Sequence, residues 1–264
     1  MAKTEERAEF GIVYDGPALA EHVMDVRDLG PALLAIGNLC VEANRVVNGD
    51  ESSLSVNVKG TGEGCFNISL QLVYEQMSTL VANPHVANVK EILEWLGLVG
   101  TPLGGGVIGL WQFLKWKKGR RIAAEEPTPD GQVAITVAGD NNTITIPTQV
   151  AALAHDVNVR KASRDITQPL KSDGITEFEV RDETGTPVVS IDDTEVRDGY
   201  FDIDLDEVGL TDSPVPPQTF EAILELRAAV FEEHKRWQFV FGGNLIYAAI
   251  LDERFNEGVF KQQL

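Results

Sequence analysis

Apolar and polar residues alternate at Phe10, Ile12 and Tyr14, which predicts a strand with one buried face. Past Asp15-Gly16-Pro17 the period changes. Leu29, Leu33, Ile36, Cys40, Ala43 and Val47 recur every three or four residues and form one stripe of a helix. Gly30-Pro31 opens that helix and Asn48-Gly49 stops it. Two more strands follow, through Leu54, Val56 and Val58, then Phe66, Ile68, Leu70 and Leu72, with Gly60, Gly62 and Gly64 between them. The order is β-α-β-β, and Tyr74–Leu98 reads as a helix leading into the next segment.

That segment, Trp95–Leu114, holds no charge over 20 residues. As a continuous helix it would span about 30 Å, the thickness of a bilayer core. Trp95, Trp111 and Trp116 stand near its two ends, where indoles favour the headgroup level. Lys115, Lys117, Lys118, Arg120 and Arg121 flank it on one side, as at a cytoplasmic membrane boundary. Gly100-x-x-x-Gly104 and Gly105-x-x-x-Gly109 permit close helix approach. Gly97, Gly106 and Pro102 add to the breaks, and the nine Leu, Ile, Val and Phe residues favour insertion by only about 3–5 kcal/mol. A single span would also carry the preceding 94 residues across the membrane. An interrupted segment avoids this. It has two half-helices, near 90–100 and 106–118, joined by a break at Thr101–Gly105 and buried between subunits. The alternative is a buried core helix followed by a Gly-rich loop and a basic tail.

Beyond the basic cluster the chain is acidic and Pro-containing over 122–131, which reads as a linker. Val133–Val137 and Thr143–Ile146 form a hairpin pattern, and 148–170 reads as helix. The rest is strand-like at Phe178/Val180, Val188–Ile191, Phe201/Ile203/Leu205, Phe220–Leu226, Trp237/Phe239/Phe241 and Ile246/Ala248/Ile250. Gly242-Gly243 marks a turn, and Asp252 would cap a short last helix. The expected fold class is α+β. It comprises an N-terminal β-α-β-β domain (1–90), a central Gly-rich membrane segment as span or hairpin (91–121), a linker (122–131) and a mainly antiparallel β domain (132–264).

Charge sharpens this layout. The 264 residues carry a net −19, made of −8 before residue 95, +5 within 115–121 and −16 after it. Such a balance argues against general DNA or RNA binding, which needs a positive surface. An apolar fraction of 43% is ample for a core. Cys40 and Cys65 make no disulfide framework, and Cys40 belongs to the helix stripe as a small core residue. The charged start, MAKTEERAEFG, has no signal-peptide character, so a reduced cytosol is the expected compartment for the flanking domains.

Candidate chemistry is sparse. Asp202-x-Asp204-x-Asp206 begins like a calcium loop, but Glu207 and Ser213 stand where glycine and the bidentate glutamate belong. His22, His85, His155 and His234 are scattered singly, without metal-ligand spacing. No nucleophile elbow, phosphate loop or dinucleotide motif occurs. No cofactor, metal or catalytic residue is therefore expected, and the chain reads as non-enzymatic. One segment, 157–171, is locally basic through Arg160, Lys161, Arg164 and Lys171. With Arg236 and Trp237 it would hold an anion by guanidinium forks and stacking, or it simply offsets acidic neighbours.

Residues 12–50, IVYDGPALAEHVMDVRDLGPALLAIGNLCVEANRVVNGD, with the Gly-rich segment 95–114 and KRWQFVFGGNLIYAAILDERF at 235–255, resemble a bacterial family. The whole layout is similar to the membrane effectors of bacterial anti-phage defence, such as the channel of the Hailong system. The resemblance implies a homo-oligomeric ion channel of the inner membrane. It also implies a soluble part that binds an oligonucleotide made by a partner nucleotidyltransferase. The rival reading is a soluble homo-oligomeric binding or scaffold protein with 95–114 as a buried subunit interface.

Overall fold

The computed structural model of the chain describes residues 4–49, 52–61, 66–76, 86–99, 108–139, 141–204, 225–228, 237–241 and 244–248. It divides into two compact units, Met1–Ser213 and Pro214–Leu264. The first is a mixed α+β unit with two antiparallel sheets.

Strand β1 (Thr4–Asp15) is followed by a short 3₁₀ turn and then by helix α1 (Val26–Asn48). The helix starts earlier than Gly30-Pro31 suggests, because the Asp25 carboxylate accepts from the Arg27 amide and caps it. Its inward face carries Ala32, Ala35, Ile36, Leu39, Cys40 and Ala43, all buried, while Leu29, Leu33 and Val47 of the anticipated stripe are half-buried. Strands β2 (Ser52–Thr61) and β3 (Phe66–Gln76) complete the expected β-α-β-β order. Phe10 faces Leu70 and Ile12 faces Ile68 across β1 and β3, so the alternating residues line one side of the sheet. Tyr74 falls within β3, not in a helix; of the anticipated 74–98 helix, 89–96 is helical and 77–85 lies outside the described residues.

After helices α2 (Val89–Leu96) and α3 (Leu110–Lys117) comes strand β4 (Ile122–Pro127). The stretch 122–131, anticipated as a linker, is thus largely an edge strand. It pairs with β5 (Gln132–Val137), which pairs with β6 (Thr143–Pro147) in a three-stranded sheet. The expected helix 148–170 is real but broken. Asp156 is extended and caps α5 (Val157–Thr167) immediately after α4 (Thr148–His155) ends.

Strands β7 (Glu177–Arg181) and β8 (Pro187–Asp192) correct the domain division. They extend the first sheet, whose order is β2-β3-β1-β7-β8. The reason is burial. β1 hides Val13 as well as Phe10, Ile12 and Tyr14, so both its faces are covered and both its edges need a partner. β7 supplies the second edge, with Ile12 opposite Val180 and Tyr14 opposite Phe178. The part after residue 131 is accordingly not one β domain. Up to residue 213 it belongs to the first unit, giving two strands to the first sheet and three helices, α4, α5 and α6 (Asp193–Arg197), and only the chain from Pro214 on forms a unit of its own. Phe201 and Ile203 lie in irregular chain, not in a strand.

In the second unit β9 (Glu225–Ala228), β10 (Trp237–Phe241) and β11 (Asn244–Ala248) form an antiparallel sheet in the order β11-β10-β9. Phe241 pairs with Asn244, the register of a two-residue hairpin around Gly242-Gly243. Residues 242–243 and the expected cap at Asp252 lie outside the described residues.

Within the first unit, α1 packs on α5 and on β2. Asn44, Asn48 and Ser52 are buried and bond to one another and to the backbone of Ala87, so the returning chain at 86–88 is held to the end of α1. Burial pushes the Cys40 thiol up to about 12. A thiol-specific maleimide is therefore expected to leave Cys40 unmodified in the native protein and label it after denaturation. Peptide mapping distinguishes it from Cys65, and rapid native labelling of Cys40 would contradict the packing of α1.

Candidate functional site

Two short helices, α2 ending at Leu96 and α3 beginning at Leu110, flank the uncharged segment, and the break anticipated at Thr101–Gly105 lies outside the described residues. Asn88 accepts from the Lys90 and Glu91 amides while Glu91 accepts from the Asn88 amide, a reciprocal cap that starts α2. Gly97 ends it at φ 78°, and the Leu98 amide closes on the Leu93 carbonyl. The chain re-enters at Ile108, and Gly109 precedes α3.

Gly97 and Gly109 touch backbone to backbone. A Cβ on Gly109 would stand 2.5 Å from the Gly97 nitrogen and 2.8 Å from the Glu94 carbonyl oxygen. The two ends of the 98–108 excursion therefore meet in a neck that only glycine permits at position 109. Gly100, Pro102, Gly104, Gly105 and Gly106 lie outside the described residues. No helix among the described residues is long and apolar enough to cross a membrane.

The flanks of the segment are core. Leu96, Leu110, Trp111, Phe113 and Leu114 are fully buried, and Trp95 is half-buried against the same cluster. The Trp111 ring lies 5.5 Å from Phe201 and 6.2 Å from Phe178, centre to centre, joining α3 to β7 and to the chain after α6. So α3 presents its large side chains to the protein, where the sequence anticipated lipid.

The basic flank is also engaged internally. Lys115 bonds the Ser190 carbonyl and pairs with Glu195 at 2.9 Å. Lys117 is 1% exposed. The Arg120 guanidinium sits 5.7 Å over the Trp116 ring and donates to the Trp116 and Lys117 carbonyls. Arg121 pairs with Asp204 at 3.0 Å. Lys118, at φ 53°, is exposed at the end of α3. Lys115 and Arg121 thus find their carboxylates at residues 195 and 204, which sequence order alone could not reveal.

The anticipated anion-binding residues do not gather. Arg160 is 2% exposed, and its Nη2 donates to the Asp202 carbonyl at 2.7 Å. It thereby fastens α5 to the first residues of the calcium-like sequence. Arg164 pairs with its neighbour Asp165. Lys161 and Lys171 are exposed. Arg236 lies outside the described residues, and Trp237 is placed only by its backbone, at the start of β10 in the other unit.

One feature was not legible in the sequence. His155, at the end of α4, meets Glu125 of the edge strand β4 at 2.6 Å. Arg121, Ile122, Ala123, Ala124 and Asp204 line the same open groove of about 390 Å³. The groove holds an imidazole–carboxylate pair and a guanidinium–carboxylate pair, so each nitrogen-bearing side chain there has a carboxylate beside it. Nothing in the sequence places residues 125 and 155 together, because the pairing depends on β4 turning back along β5.

The described residues define a mixed α+β protein in which Gly97 and Gly109 are held backbone to backbone. Comparison with protein-family models, with characterised proteins and with solved structures returns no match to the chain.

Proposed function

We propose that the chain is a non-enzymatic, self-associating membrane effector of the anti-phage type that its layout resembles, touching the bilayer with residues between 99 and 108. The observation that supports this is the Gly97–Gly109 neck. A segment whose ends meet must enter and leave an apolar phase from one side, so the chain before and after it stays on that side. This suits a protein on the cytosolic face of the inner membrane, and it removes the need to translocate the first 94 residues. Packing several copies would bury the glycine-rich backbone that one copy exposes to lipid and would build a pore for ions. Opening requires a ligand that binds the open and closed assemblies with different affinity. For the oligonucleotide that the resemblance implies, Lys161 and Lys171 are the exposed cations of the basic segment.

A second reading, a soluble homo-oligomeric binding or scaffold protein, is favoured by a different observation. The large apolar residues of α3 and most of the basic flank already have partners within the chain. Fractionation separates the two. The first reading expects the expressed protein in membranes washed with carbonate and released only by detergent. It also expects ion flux that falls at least tenfold when Gly104 and Gly105 become leucine. Recovery in the supernatant without detergent overturns it in favour of the second.

A further inference from the structure

Helix α3 is held in the core by the chain that follows α6, residues 199–204. Gly199 starts this strap at φ 79°, a backbone that glycine adopts freely, and its carbonyl oxygen lies 2.7 Å from where a Cβ on Gly119 would stand. Phe201 is 2% exposed and lays its ring against Trp111. The buried Arg160 of α5 donates to the Asp202 carbonyl, and Asp204 ends the strap with its carboxylate on Arg121. That last pair opens onto the groove beside β4, where the Arg121 side chain is 68% exposed. Under the strap Trp111 is fully buried, and its indole N–H has no hydrogen-bond partner among the described residues. A buried donor left unpaired opposes the arrangement that buries it.

We infer that the strap is an autoinhibitory clamp, which keeps α3 in the core until an anionic membrane surface takes over its contacts. The inference rests on the membrane reading above and adds a resting state to it. What the strap supplies to α3, an anionic interface supplies as well. Lipid phosphates replace the Asp204 carboxylate on Arg121, and the acyl boundary replaces the Phe201 ring on Trp111. The interface also offers oxygen acceptors to the indole N–H, which the closed clamp does not. In water, opening loses the Arg160 bond to Asp202 and uncovers Phe201, so the clamp stays closed. Gly199 is the hinge on which the strap turns away. A bilayer shifts such an element only by meeting its two states differently, and here lipid engages the open state alone. A neutral bilayer gives Arg121 no partner, so opening requires anionic lipid. The clamp accounts for a helix that is core in this fold and yet carries the tryptophans and basic flank of a membrane boundary.

The test uses the full chain with Arg121→Cys and Asp204→Cys, in a Cys65→Ser background where the remaining Cys40 is buried. The pair removes one charge of each sign, so the net charge is unchanged. A short bis-maleimide tethers the two positions, and N-ethylmaleimide caps them without a tether. Intact mass identifies each product, and a pair that does not tether within one chain overturns the clamp at the outset. Co-sedimentation with vesicles of phosphatidylcholine and phosphatidylglycerol in equal parts reads membrane binding. Quenching of Trp111 by brominated acyl chains, taken as the difference from the same chain with Trp111→Phe, reads the position of α3. Trp111 is expected to be quenched in the native and capped chains and about tenfold less in the tethered one. In the native chain it is expected to be quenched about tenfold less on phosphatidylcholine alone. Trp111 quenched as strongly in the tethered chain as in the capped one, or in none of the bound chains, overturns the clamp and leaves the membrane reading standing. Equal quenching of the native chain on both vesicles overturns the anionic trigger. No sedimentation of any chain with vesicles overturns the membrane reading and the clamp together.

Discussion

Replacing Gly109 with alanine is expected to cost about 3 kcal/mol or more, although alanine is the mildest substitution available. The position has an ordinary backbone conformation, φ −85°, so the penalty is wholly one of space. The new methyl would stand 2.5–2.8 Å from three backbone atoms of residues 97 and 94, and backbone in a capped helix end has nowhere to retreat. Relief means pulling α3 away from α2, which uncovers Leu110, Trp111, Phe113 and Leu114. Gly97 provides the comparison. A methyl there would meet the end of the Gln112 side chain, which is exposed and can swing aside. The left-handed backbone at φ 78° leaves a penalty of only about 1–2 kcal/mol. Urea denaturation of the two variants should rank Gly109→Ala well below Gly97→Ala. Equal losses would mean that the neck relaxes freely and does not fix the ends of the excursion.

Trp111→Ala is expected to destabilise the first unit by about 3–5 kcal/mol, among the largest losses a single truncation gives. The indole is fully buried and bridges α3 to Phe178 of β7 and to Phe201. Its removal opens a cavity at the place where the chain after α6 is fastened to the sheet. Trp111→Phe should cost much less, about 1–2 kcal/mol. The phenyl ring keeps the aromatic contacts. It also removes an indole N–H that is buried without a hydrogen-bond partner among the described residues, so part of the lost volume is offset. The checking measurement is the denaturation midpoint of both variants with circular dichroism as the probe. A phenylalanine variant as unstable as the alanine one would show that the N–H has a partner that matters. An alanine variant of normal stability would remove Trp111 from the core and restore the membrane-facing role its sequence position suggests.

The elements themselves were largely legible. The stripe through Ile36, Cys40 and Ala43 marks the buried side of α1, and the alternations at Phe10–Tyr14 and Phe66–Leu72 mark β1 and β3. These are local signals, each carried by a period that the backbone geometry imposes. Glycine and proline between Gly97 and Gly109 likewise mark a broken helix pair, because neither residue sustains a helix. Elsewhere a local signal has two outcomes. A charge-free run with tryptophans at its ends fits lipid and protein core equally. The choice depended on whether Phe178 and Phe201, far along the chain, arrive to cover Trp111. Asp202-x-Asp204 looked like the start of a cation loop, while Asp202 lends its carbonyl to Arg160 and Asp204 its carboxylate to Arg121.

By itself the sequence determined the α+β composition, the β-α-β-β start, the interrupted apolar segment and the lack of any familiar catalytic motif. Tertiary structure alone decided that β7 and β8 close the first sheet, that α3 is core, and that Lys115 and Arg121 answer Glu195 and Asp204. The physical reason is range. Helix and strand periods are written within a dozen residues. The partner of a sheet edge, an aromatic ring or a charge is whichever group the folded chain brings within a few ångströms, and no local pattern names it.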